Sequence, residues 1–174
     1  MKTLVIVSHP YPEISNSIKS LEHIIQTIPH TTIRNLESLY GSDITRFDVA
    51  AEQAAYYDAE RVIFMFPVHW FNLTPMLKAY LNAVWSYGWA FGPNGVALQD
   101  KEMLVITTAG ATAFTYSKDG IINSTINEVL TPLKASALYV GMKYAEPIAF
   151  YEAMNPSEAK LSEFKKTITT RLGH

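Results

Sequence analysis

VIFMFPVHWFNLTPMLKAYL, residues 62–81, runs from a solid apolar block through Pro67 into His69, Trp70, Phe71 and Asn72, and then into a helical pattern. The block RVIFMF (61–66) is short and continuous, as in a strand buried on both faces. After the turn, Leu77, Tyr80, Leu81 and Val84 fall at i, i+3, i+4 and i+7, the stripe of a core-facing helix. A doubly buried strand feeding a helix at once is half of a parallel crossover unit.

The same alternation continues along the chain. TLVIVS (3–8) and MLVITT (103–108) have the character of RVIFMF. TTIRNL (31–36) suits one sheet edge. KYAEPIAFY (143–151) suits the other, with Pro147 marking an edge strand or bulge. Helical stripes lie between them: Ile18, Leu21, Ile25 and Ile28; Asp48 to Tyr57; and 122–136, where Pro132 is a kink or break. A last stripe carries Leu161, Phe164, Ile168 and Leu172. Asn155-Pro156-Ser157-Glu158 enters it with an N-cap, a proline at the first helical position and a glutamate in the first turn. The pattern predicts one α/β domain over 1–174. It is a flavodoxin-like three-layer sandwich with a five-stranded parallel sheet, order 2-1-3-4-5, and helices on both faces.

Composition narrows the function. The chain has 174 residues, formal charge −2 and no cysteine. Near-neutral charge argues against nucleic acid. The lack of cysteine removes disulfides, thiolate nucleophiles and zinc–thiolate sites. No stretch nears the roughly 20 apolar residues of a membrane span, and MKTLVIVSHP is too short for a signal core. The expectation is a soluble, cytoplasmic protein without membrane insertion.

In such a sheet, ligands bind at the carboxyl ends of the strands near the switch in strand order. Three loops are therefore at issue. SHPYPEISNS (8–17) has no glycine, which excludes the Gly-rich dinucleotide and P-loop motifs. It places Ser15, Asn16 and Ser17 where a helix starts, so either one residue is a plain N-cap or the set holds a phosphate with the free helix N–H groups. It also lacks the acidic side chains that a magnesium-binding receiver domain needs after the first strand.

PVHWFNLTP (67–75) puts two aromatic rings at the binding edge. They are either core residues under the next helix or a flat wall for a planar heteroaromatic ring. His69 is a satisfied loop histidine or a proton donor, and no ligand spacing makes it a metal residue. TTAGATAFTY (107–116) offers the hydroxyls of Thr107 and Thr108, the phenol of Tyr116 and small residues that allow close approach to backbone. Together the loops describe a phosphate end, an aromatic wall and a small polar floor, the parts that flavin mononucleotide requires.

The stretches FPVHWFNLTPMLKAYLNAVW (66–85), GWAFGPNGVALQDKEMLVITTAG (88–110) and TPLKASALYVGMKYAEPIAF (131–150), with 7–17, resemble the flavodoxin-like NAD(P)H:quinone oxidoreductases over nearly the whole chain. The resemblance is closest to the short bacterial members that include ancillary oxidoreductases of glutathione-regulated potassium efflux systems. It implies a flavin, FMN before FAD in so short a chain, and NADH or NADPH as co-substrate. It also implies a ping-pong two-electron reduction of quinones or similar electrophiles, and a homodimer. It places His9, Ser15 and Ser17 near the phosphate, where the helix-start reading adds Asn16, and Pro67, Val68, His69, Trp70 and Phe71 along the isoalloxazine. Thr107, Thr108, Ala109, Gly110 and Tyr116 meet its pyrimidine side. Tyr116 and His69 are the candidate proton donors, and backbone N–H groups of 67–71 and 108–110 are expected to face the ring.

Two departures stand out. Ala109-Gly110 replaces the family's usual Gly-Gly, and after Tyr116 the only histidine is His174. An alternative function is a flavin-binding regulatory subunit that docks on a transporter; Tyr56, Tyr57, Trp85, Tyr87, Trp89 and Phe91 are either that docking surface or, in the main reading, the lining of a homodimer interface and its acceptor pocket. A one-electron flavodoxin carrier fits less well, since such carriers are strongly acidic.

Overall fold

A computed structural model describes residues 1–11 and 15–173. Its parallel sheet has the expected order. Strands β1 (Thr3–Val7), β2 (Thr31–Asn35), β3 (Arg61–Pro67) and β4 (Glu102–Thr108) are followed by β5 (Lys143–Tyr144) and β6 (Ile148–Phe150). The order is β2-β1-β3-β4-β5, with β6 also on β4. The single predicted strand over 143–151 is thus two short ones. β5 pairs Glu102–Met103 and β6 pairs Ile106–Thr108. Pro147 lies in the gap, where its missing N–H breaks no ladder bond.

The core lies on both faces, set by strand alternation. Leu4, Ile6, Val62, Phe64, Phe66, Met103 and Val105 face α4 (Pro75–Val84) and α6 (Thr131–Tyr139). Val5, Val7, Ile63, Met65, Leu104 and Ile106 face α1 (Asn16–Gln26) and α7 (Glu158–Leu172). The other helices are α2 (Leu36–Tyr40), α3 (Val49–Tyr56) and α5 (Ile126–Val129).

Local chemistry sets the helix ends. Thr74 caps α4 by accepting the Leu77 N–H, with Pro75 at its first position. Pro132 is the second residue of α6, within its first turn, and the helix predicted over 122–136 is broken into α5 and α6. In the last helix the cap is Ser157, whose Oγ accepts the Lys160 N–H at 3.3 Å. Pro156 therefore precedes the cap and is not the first helical residue.

The aromatic docking surface read from sequence is only partly there. Tyr56 is buried while Tyr57 is exposed, and Trp85 is buried against Phe64. Tyr87 stays exposed.

Candidate active site

The expected cleft opens at the carboxyl ends of β1, β3 and β4. Its volume is about 360 Å³, and His9, Ser15, Asn16, Ser17, Pro67, Val68, His69, Thr108, Ala109 and Gly110 line it with Tyr11, Ala153 and Met154. A larger groove, about 530 Å³, sits at the opposite end of the sheet around Lys2, His30 and Asp58. It contains none of the predicted residues. It also lies at the amino ends of the strands, away from the switch point where this architecture binds ligands.

At one end of the cleft α1 begins. Ser15 is its N-cap and accepts the Ile18 N–H at 3.3 Å. Ser17 is buried and donates its hydroxyl to the Ala153 carbonyl. Capping and packing therefore account for two of the three polar side chains. Asn16 is exposed at the first helical position. The unshared N–H groups and positive pole of the helix face the cleft from the same place.

His9 is half-buried beside this end. Its Nδ1 accepts the Tyr11 N–H at 3.0 Å, which leaves Nε2 as the protonated nitrogen of the neutral ring. Burial, and then the nearby His69, hold the His9 pKa below its ordinary value. The folded chain thus resists a proton that the unfolded chain accepts. His9 costs no stability above about pH 6.5, and it removes stability as pH falls from there through its depressed folded value. The wild-type chain without ligand is expected to lose stability relative to His9→Gln over that fall. Parallel urea-unfolding profiles for the two chains between about pH 7.5 and 5 would refute this reading of His9.

At the other end, β3 runs into a two-residue hairpin turn. His69 and Asn72 exchange N–H···O bonds, both at 2.9 Å. The central residues, Trp70 and Phe71, have φ of 45° and 61°. Two left-handed residues are what a type I′ turn demands, and Asn-Gly is its usual sequence. Placing tryptophan and phenylalanine there stores strain at a cleft rim. Trp70 is 94% exposed and Phe71 44%. Neither ring is a core residue under α4, which removes the structural alternative for Trp70. Phe71 leans on Tyr116, 6.1 Å between ring centres, and Tyr116 on Tyr151, 5.7 Å.

The floor is made by the end of β4. Val68 N–H donates to the Thr108 carbonyl at 2.8 Å, and Ala109 N–H to the Phe150 carbonyl at 2.9 Å. Ala109 needs no left-handed backbone, so its methyl is accommodated without strain. Among the described residues, the N–H groups of Trp70, Phe71 and Gly110 have no protein acceptor. Those of Val68, His69 and Ala109 are already taken, which narrows the expected donor set.

Four predicted residues stand off the cleft wall. Thr107 is fully buried and gives its hydroxyl to the Phe66 carbonyl at 2.8 Å, so it braces the strand end from beneath. Trp70 and Phe71 form the rim. Tyr116 is buried behind Phe71, and burial pushes its phenol up. Sequence reasoning missed Tyr11, Ala153 and Met154. Met154 Sδ lies 3.5 Å from where a Cβ on Gly110 would sit. The loop after the last strand ends at the same sheet edge, and that topological signal could have found it.

A family model of the flavodoxin-like fold matches residues 1–172. The chain belongs to the flavodoxin-like NAD(P)H oxidoreductase family. One relative is the uncharacterized NAD(P)H oxidoreductase YdeQ of Bacillus subtilis, 34% identical over 163 residues, 94% of this chain and 82% of that protein. Another is the glutathione-regulated potassium-efflux system ancillary protein KefF of Klebsiella aerogenes, 36% identical over 148 residues, 85% of this chain and 81% of that one. Among solved structures, general stress protein 14 of Treponema denticola, in complex with FMN, superposes with a TM-score of 0.88 at 32% identity, over 99% of this chain and 97% of that one. No helix among the described residues is long and apolar enough to cross a membrane. No group of metal-ligating side chains is found among them.

Proposed function

We propose that this oxidoreductase binds FMN in the cleft and passes two electrons from NADH or NADPH to a quinone or similar electrophile. The observation that carries the reading is one cleft joining a helix N-terminus with His9 to a strained aromatic turn. The first suits a phosphate and the second a flat ring. Bound FMN would supply the hydride-accepting and hydride-donating chemistry, and the protein would supply placement and electrostatics.

In this reading the start of α1, Ser15, Asn16 and His9 hold the phosphate, with Ser17 fixing the helix to the loop of Ala153. Pro67, Val68, Thr108, Ala109 and Gly110 form the floor, braced by Thr107. Trp70 and Phe71 cover a face and shed water. The unpaired N–H groups of Trp70, Phe71 and Gly110 are the donors for negative charge on the ring. His69, on the cleft wall, is the nearer proton donor to the acceptor. Tyr116, whose phenol burial pushes up, stands behind Phe71. Both substrates use the same exposed face, so ping-pong kinetics are expected. The exposed side chains of Trp70 at the rim and Met154 on the cleft wall suit burial against a second subunit in a cytoplasmic homodimer.

The test is the visible spectrum of the purified chain with FMN, then with NADH or NADPH, then with menadione. Flavin bands that bleach with nicotinamide and return with quinone are the expected result. A chain that takes up neither FMN nor FAD would overturn the proposal.

A second reading draws support from the KefF relative. The chain would also dock on a transporter through exposed side chains such as Tyr57 and Tyr87. Variants Tyr57→Ser and Tyr87→Ser that keep quinone reduction but lose transporter activation would favour it.

A further inference from the structure

Behind the cleft, three buried or half-buried side chains tie two of its loops together, and none of them lines it. Ser8 is fully buried at the end of β1. Its Oγ lies 2.8 Å from Glu37 Oε1 and 2.5 Å from Thr74 Oγ1. Thr74 is also fully buried, and its Oγ1 accepts the Leu77 N–H at 3.2 Å. The proton directions follow from the donor inventory. The single Ser8 proton goes to Glu37, so in the Ser8–Thr74 pair Thr74 is the donor. The carboxyl ends the chain, and every hydroxyl has one use for its proton.

This chain of bonds has a place in the site. Ser8 precedes His9 and the start of α1. Thr74 closes the segment that carries Pro67 to Phe71. Glu37 stands in the first turn of α2, straight after β2, at the same carboxyl edge of the sheet. The His9 N–H also faces the Glu37 carboxyl.

We propose that Glu37 is a positioning residue of the cofactor cleft, holding the loop after β1 in register with the loop before α4 through Ser8 and Thr74. The proposal rests on the FMN reading given above. Without an acceptor at residue 37, one buried hydroxyl proton has nowhere to go, whichever way Ser8 and Thr74 turn. The two halves of the cleft would then shift relative to each other. Glu37 Oε2 is buried with no described hydrogen-bond partner, so the contacts described for the group, from the Ser8 hydroxyl and the His9 N–H, both come from the loop after β1. Burial pushes the Glu37 carboxyl up. An amide of the same shape keeps the oxygen that accepts from Ser8, so Glu37→Gln is a close substitute on geometry.

The test pairs FMN titration by flavin fluorescence with amide hydrogen exchange on the chain without ligand. Glu37→Ala is expected to bind FMN about tenfold more weakly, with faster exchange in 8–11 and 67–74. Glu37→Gln is expected to match the wild type on both measures, since it keeps the acceptor. Ser8→Ala removes the donor and is expected to copy Glu37→Ala, and it replaces that variant if Glu37→Ala does not fold. Unchanged affinity and exchange in Glu37→Ala or Ser8→Ala would overturn the proposal. So would a Glu37→Gln chain as weak as Glu37→Ala. If the wild-type chain ignores FMN, the cofactor reading fails, while exchange in the two loops still decides whether Glu37 holds them.

Discussion

A Glu52→Ala chain is expected to lose about 3–5 kcal/mol of unfolding free energy. Glu52 lies in α3 and is fully buried. Arg34 Nε and Nη2 reach its carboxylate at 2.7 and 2.6 Å, Tyr40 donates to the same group, and the Tyr80 hydroxyl is 3.2 Å away. The Tyr80 hydroxyl is also 3.2 Å from that of Tyr56, whose oxygen accepts the Trp85 indole N–H at 3.3 Å. The carboxylate is the acceptor on which β2, α2, α3 and α4 converge. Deleting it strands a guanidinium and two phenols in a region that water reaches poorly. The cost comes from what is left unpaired, not from the attraction lost. For that reason Arg34→Met with Glu52→Leu is expected to cost less than the two single changes added together. Urea unfolding without ligand measures both. A Glu52→Ala chain within about 1 kcal/mol of wild type would mean that water enters and satisfies the network.

That network was not legible in the sequence, and the reason is physical. A glutamate between Ala51 and Gln53 on a helix reads as a solvated face. Only the packing of three elements on one side of the sheet turns it into a buried acceptor. The main strands were legible because continuous β-branched runs have few other uses. The helix LESLY was not, because five residues cannot display a helical stripe. Its start is set by Asn35, whose side chain accepts the Ser38 N–H at 3.1 Å. Pro147 was legible as a disturbance, but whether it bends one strand or divides it depends on which ladder positions of β4 remain free.

The site divides in the same way. Topology alone brings the ends of β1, β3 and β4 together, so residues in those loops could be named from the chain. Which way each side chain points could not. Thr107 and Thr108 are adjacent, yet strand alternation sends one hydroxyl to the Phe66 carbonyl and leaves the other residue on the cleft wall. Ser15 and Ser17 are two apart on a helix start, and one caps while the other packs. Ala153 and Met154 carry no chemistry that sequence reasoning looks for. They enter the wall only because the loop after β6 ends there.

Trp70→Gly is expected to move stability and cofactor affinity in opposite directions. The turn from His69 to Asn72 holds Trp70 at φ 45°, where glycine is at ease and a tryptophan is strained. The ring is 94% exposed, so truncating it sacrifices almost no packing within the chain. The ligand-free variant should therefore be more stable by about 0.5–1 kcal/mol, the strain relieved less the extra freedom glycine gives the unfolded state. If the exposed ring is a wall for the flavin, the same change should weaken FMN binding by about tenfold or more, the scale of one lost aromatic contact with its buried area. Trp70→Ala should lose the affinity without recovering the full strain. Both quantities can be read on one preparation, by urea unfolding without ligand and by flavin fluorescence. A gain in stability with unchanged FMN affinity would remove Trp70 from the site and leave the strain without a use. A loss of both would mean that the indole packs on its own chain in solution.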